Sequence, residues 1–118
     1  MTDMEISRDL AIAVGWKSVM RFSWGVMVKT AAHGNWRSFD YKDWNVIGPI
    51  AERYAAFPHM IADGNYRKHK KQGFAHATGW EVFITDYRKG TEQNAKWNHY
   101  VADTPQKAIA LSVIGANV

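Results

Sequence analysis

Five histidines, His33, His59, His69, His76 and His99, and the absence of cysteine bound the chemistry this chain could perform. Without a thiolate there is no disulfide, no sulfur ligand for a metal and no cysteine nucleophile. A histidine metal centre needs ligands grouped on one face. No histidine here lies three or four residues from another histidine or from a carboxylate on a predicted helix, and His-Glu-x-x-His is missing. The Gly-x-Ser-x-Gly elbow, the phosphate-binding P-loop and the Rossmann glycine pattern are missing too. His99 shares a strand face with Trp97 and Val101, the setting of a hydrogen-bonded, half-buried imidazole. No enzyme, cofactor or metal is implied.

Two other groups of residues could bind rather than react. The run YRKHKKQ holds Tyr66, Arg67, Lys68, Lys70 and Lys71. Its four cations could neutralise phosphates while the tyrosine stacks on a base. They would equally suit an acidic protein surface, or serve only as a solvated loop. Of the fifteen Lys and Arg, the eleven outside this run balance the eleven Asp and Glu, so the net charge of +4 is a local feature. The second group is Trp36 with Arg37 in HGNWRSF, a segment read as loop, where no periodicity demands burial. Trp and Arg are enriched at binding hot spots. Of the other tryptophans, Trp16, Trp44 and Trp80 occupy expected core positions, and Trp97 is expected to face the core.

A chain of 118 residues with 47% hydrophobic content is long enough for one domain, residues 1–118, with one core. MTDMEISRD is acidic and lacks the apolar stretch of a secretory signal. No apolar run approaches the ~20 residues of a membrane span. A soluble intracellular protein is expected.

The elements that must position these residues follow from spacing. Thr2 and Glu5 have the capping-box offset, and Ile6, Leu10 and Val14 form one stripe, predicting a helix over 3–14 closed by Gly15 in a left-handed conformation. In SVMRFSWGVMVKT, Met20, Phe22, Trp24, Val26 and Val28 alternate with Arg21, Ser23 and Lys29. This is one long strand or, preferably, a hairpin turning at 23–25. Residues 30–40 read as loop. In DWNVIGPIAERY, Trp44, Ile47, Ile50 or Ala51, and Tyr54 recur at helical spacing. The helix begins either near Gly48 or at Asp43 with a kink at Pro49, since an interior proline costs about 3 kcal/mol. Asp63-Gly64-Asn65 marks a turn. GWEVFITDY and KWNHYVA alternate as a second hairpin. Thr104 as N-cap and Pro105 at the first position open a last helix to about Gly115, with Ala108, Ile109, Leu111, Ser112, Val113 and Ala116 inward. The order α-ββ-α-ββ-α predicts an α+β fold with a mainly antiparallel four-stranded sheet sandwiched by helices.

Three segments, DMEISRDLAIAVGW, FDYKDWNVIGPIAERY and ADTPQKAIALSVIGA, occur in an order that resembles the NinX-like small accessory proteins of tailed bacteriophages and, more loosely, the phage ABA-sandwich proteins. The shared features are an acidic first helix ending in Gly-Trp, a Phe-Asp followed by Gly-Pro-Ile, and a Thr-Pro helix rich in Ala and Ile. The basic run 66–71 and residues 24–36 stand outside that pattern. The resemblance implies a layered helix–sheet–helix fold and a phage accessory protein acting in the host cytoplasm. It implies no catalytic residues. Such proteins serve the phage by blocking host functions, so the expected function is a non-enzymatic, anti-CRISPR-like counter-defence inhibitor. Its partner would be a host protein or protein–nucleic-acid complex, contacted through Trp36, Arg37 and residues 66–71. The alternative is a protein that binds or sequesters nucleotides or single-stranded nucleic acid, the basic run holding phosphates.

Overall fold

The computed structural model describes residues 1–29, 34–61, 79–86 and 96–117, with backbone alone at 85–86 and 96–99. Helix α1, Asp3–Ala13, starts where expected: the Thr2 hydroxyl accepts the Glu5 amide at 3.2 Å, which supplies half of the capping box. It ends in a Schellman motif. Gly15, at φ +101°, lets its own amide reach the Ile12 carbonyl and the Trp16 amide reach that of Ala11. Trp16 thereby folds back onto the core.

Strands β1, Val19–Phe22, and β2, Gly25–Lys29, form the expected antiparallel hairpin, turning through Ser23 and Trp24. A third strand, β3, Trp36–Ser38, pairs with β2, so the segment read as loop contains an edge strand. Three residues are too few to show alternation, and pairing to β2 rather than sequence pattern holds them extended.

Helix α2, Trp44–Tyr54, starts directly after Asp43, whose carboxylate caps the Asn45 amide at 2.9 Å, and Pro49 lies inside it. Of the two alternatives this is the helix running through the proline. A missing amide and a glycine in one helix oppose helix formation by several kcal/mol, about 3 from Pro and 1 from Gly. Burial of Ile47, Ile50 and Ala51 against the core offsets that loss. Trp44, expected in the core, is 51% exposed. It is the first residue of the helix, beyond the turn that packs inward. At the other end Ala55 adopts φ +51°, a left-handed cap usually made by glycine, and passes the Ala56 amide to the Ala51 carbonyl.

Strand β4, His59–Met60, pairs with β5, Trp80–Asp86, which pairs with β6, Lys96–Ala102, all antiparallel. Helix α3, Pro105–Asn117, opens with the Thr104 hydroxyl accepting the Lys107 amide at 3.2 Å. It buries the expected face plus Ala110, while Leu111 is only half-buried. Gly115 leaves room for the Tyr100 ring, which occupies the place a Cβ would take.

The fold is α+β, and among the described residues the expected single four-stranded sheet is not seen. The described residues make two three-stranded antiparallel sheets, β1-β2-β3 and β4-β5-β6. The short strands β3 and β4, invisible to periodicity, each extend one hairpin. The helices also pack differently from a sandwich around one sheet. Helix α1 covers β1 and β2 and contacts α3, while α3 covers β5 and β6 and contacts α2. Ile6 and Leu10 of α1, Val26 and Val28 of β2, Ile47 of α2, Val82 and Ile84 of β5, and Ile109 and Val113 of α3 meet in one core. No described helix is long and apolar enough to cross a membrane.

Candidate functional site

The two-residue turn of the first hairpin decides which aromatics reach solvent. In this register Met20 pairs with Met27, Phe22 with Gly25, Val19 with Val28 and Arg21 with Val26. Paired residues share a face, so even positions of β1 lie beside odd positions of β2. The single stripe Met20-Phe22-Trp24-Val26-Val28 expected from period two is therefore divided. Val26 and Val28 turn inward and are buried, whereas Met20 and Phe22 turn outward and are exposed. Trp24, in the turn, is 68% exposed and stacks on Phe22, ring centroids 5.1 Å apart and planes within 6°. A stacked pair left in water contributes area for a partner rather than for the core.

Strand β3 separates Trp36 from Arg37 in the same way. Trp36 pairs with Lys29 on the outer face, where the Lys29 ammonium stands 5.1 Å from the indole centroid in a cation–π contact. Arg37 pairs with Val28 on the inner side and lines a cleft there. The two residues expected to act as one anchor thus serve different surfaces. The outer face carries Met20, Phe22, Met27 and Trp36, with Trp24 at its end, and no described helix packs on it. From Leu10 to Phe39 the sequence has four cations, Lys17, Arg21, Lys29 and Arg37, and no Asp or Glu. This first sheet is cationic as well as aromatic.

The cleft has a volume of about 670 Å³ and lies between the end of α1, the inner side of β3 and one stripe of α2. Val46, Pro49, Ile50 and Arg53 supply that stripe at helical spacing, facing Trp16 and Arg37. Arg53 also lies over the Tyr54 ring at 5.3 Å.

A third place is polar but closed on itself. The Tyr41 hydroxyl donates to the Asp3 carboxylate at 2.6 Å, and the Tyr41 amide donates to the Ser7 hydroxyl at 3.1 Å. Lys42 reaches Asp3 at 3.6 Å, and the Gln106 side chain donates to the Lys42 carbonyl at 3.3 Å. The hydrogen bond from Tyr41, reinforced by Lys42, holds the Asp3 carboxyl below its usual range. Burial, then the bond to Asp3, pushes the Tyr41 phenol well above its usual range. Each shift favours the proton staying on the tyrosine. This seam ties the starts of α1 and α3 to the loop before α2, and sequence spacing gave no sign of it.

The basic run, Tyr66, Arg67, Lys68, Lys70 and Lys71, lies outside the described residues, as do His33, His69 and His76. His59 is exposed on β4. The register sets His99 opposite Phe83 and Trp97 opposite Thr85; the expectations for the His99 and Trp97 side chains fall outside the described ones. Among the described residues no three His, Asp or Glu group as metal ligands.

By fold and surface this is an α+β protein with an exposed aromatic sheet face on which Lys29 lies over Trp36. No protein-family model and no curated protein matches the sequence.

Proposed function

We propose that the protein is a non-enzymatic phage accessory protein that binds and blocks a host component, in the manner of a counter-defence inhibitor, and that the outer face of the first sheet is its contact surface. The observation that carries this reading is the exposure of Met20, Phe22, Trp24 and Trp36 on the side of the sheet opposite the one that packs on α1. Aromatic and methionine side chains bring large contact area at small entropic loss, and interface centres are enriched in them. Lys29 on that face, in a segment from Leu10 to Phe39 that has no Asp or Glu, favours an acidic partner surface. The Lys-rich run 67–71 adds charge that would steer such a partner inward. The phage origin rests on the three sequence segments that resemble NinX-like proteins. The two described groups with clear shifts, Asp3 and Tyr41, hydrogen-bond each other at 2.6 Å beside a small polar pocket shared with Lys42 and Lys107. The non-catalytic reading rests on the missing catalytic motifs in the sequence.

A second reading draws on the Lys29–Trp36 contact: stacked aromatics with cations beside them on a sheet also suit single-stranded nucleic acid. Salt separates the two. Binding through phosphates weakens steeply between low and moderate salt, and an apolar protein interface does not. The test is capture from bacterial lysate with the native protein and with Phe22→Ala, Trp24→Ala and Trp36→Ala combined. Loss of a nuclease-resistant protein in the variant supports the first reading. Equal capture by both proteins removes it.

A further inference from the structure

The Gly48-Pro49 pair in α2 has no part in the proposed contact face, yet its position bears on the cleft behind that face. Proline has no amide, so the Asn45 carbonyl, four residues earlier, has no helical donor. Asn45 and Pro49 both line the cleft. The Asn45 carbonyl thus lacks its i+4 partner in a residue that lines the cleft. A Cβ at Gly48 would meet nothing within 4 Å, so the proline is not answered by tight packing of the residue before it. The rest of the wall has complementary chemistry. The Arg37 side chain makes no ion pair or hydrogen bond among the described residues, and Arg53 adds a second guanidinium. The one carboxylate at the rim, Asp43, is engaged by the Asn45 amide at 2.9 Å. Trp16, Val46 and Ile50 give apolar surface. The volume of about 670 Å³ falls within the range of small-molecule sites.

We infer that this cleft is a second binding site, for a small organic anion of the nucleotide class. The guanidiniums of Arg37 and Arg53 hold the phosphate, for which their planar donor forks are suited. The flat base lies against Trp16 and Pro49. An N–H donor of the base satisfies the Asn45 carbonyl. The site is on the inner side of β3, so it neither requires nor excludes a macromolecule on the outer face.

The experiment is titration calorimetry with the full chain, using AMP, GMP, UMP and CMP, with adenosine and inorganic phosphate as the halves of the ligand. At least one nucleotide is expected to bind tenfold or more tightly than either half. Arg37→Gln and Arg53→Gln are each expected to weaken it at least tenfold, with melting temperatures of the free proteins unchanged. Pro49→Ala gives the most diagnostic result. Restoring an amide donor for the Asn45 carbonyl should raise the melting temperature while weakening nucleotide binding. If Pro49→Ala stabilises and leaves binding intact, the carbonyl has no part in the site. Absence of binding by all four nucleotides at millimolar concentration would overturn the inference. So would binding that survives both arginine substitutions and disappears when Lys68, Lys70 and Lys71 are changed to Glu. Neither outcome touches the outer-face reading, which is tested with Phe22, Trp24 and Trp36.

Discussion

The two faces of the first sheet are made by the same strands and have opposite character. Inward, Val26 and Val28 meet Ile6 and Leu10 of α1 in the core. Outward, Met20, Phe22 and Trp36 remain in contact with water, with Trp24 stacked at the end. Antiparallel sheets often leave one face to solvent, but that face is ordinarily polar. Here it is apolar and aromatic, with Lys29 over the Trp36 ring. The difference suits the proposed separation of two demands on one element: the inner face is buried in the core, and the outer face is exposed and, in the proposed reading, serves contact.

Substitutions can break that separation. The largest effect is expected on binding. Phe22→Ala with Trp24→Ala should weaken partner affinity by about 2 kcal/mol or more, on the order of thirtyfold in Kd, as hot-spot truncations do. Chemical denaturation of the same variant should change by less than about 0.5 kcal/mol, since exposed side chains contribute little to folding. A large stability loss would mean that the outer aromatics belong to the fold. Val28→Ala should show the reverse. It removes two buried methyl groups and should destabilise the protein by about 2 kcal/mol, transfer and cavity terms together, with affinity of the folded fraction unchanged.

A smaller effect concerns the seam that anchors the sheet's exit to α1. Removing the Tyr41 hydroxyl in Tyr41→Phe should cost about 1 kcal/mol at neutral pH. The tyrosine's folded pKa is raised, so its contribution is fully present below the unfolded value of 10.0 and is lost as pH rises beyond it. Asp3 behaves oppositely. Its folded pKa is lowered, so its contribution is present above 3.8 and is lost as pH falls below that. Denaturation midpoints followed above pH 10 should fall in the native protein more steeply than in Tyr41→Phe; parallel curves would contradict the shift. The smallest effect serves as a control remote from the binding comparison. Ala55→Gly relieves a left-handed alanine at φ +51° and, after the entropy glycine adds to the unfolded chain, should stabilise by about 0.5 kcal/mol without altering binding.

Much of the fold was legible in the sequence where one local rule governed it. Thr2, Gly15 and Thr104 mark helix ends through hydrogen bonds made within a few residues, and the structure places them as expected. The α1 stripe and the alternation of Val82 and Ile84 survive because burial follows one period throughout. Features set by pairing were not legible. The three residues of β3 and two of β4 take their conformation from a neighbour distant in sequence, so each hairpin of the described residues gains a third strand. The parity reversal at Ser23-Trp24 depends on a turn of two residues, which decides whether Met20 and Phe22 face core or solvent. The candidate sites inherit this. Trp36 and Arg37 stood out by residue type, but β3 assigns them to opposite faces. Arg53 and Arg37 line one cleft bordered by both α2 and β3, which no spacing in the sequence signals.

The central claim is that the outer sheet face makes the contact. It is tested most directly by nuclease-treated capture from bacterial lysate, comparing the native protein with Phe22→Ala, Trp24→Ala and Trp36→Ala combined, both verified as folded by their melting curves. The account predicts a stoichiometric host protein retained by the native chain and lost by the variant. Retention of the same protein by both, or nucleic acid as the sole captured species before nuclease, would contradict it.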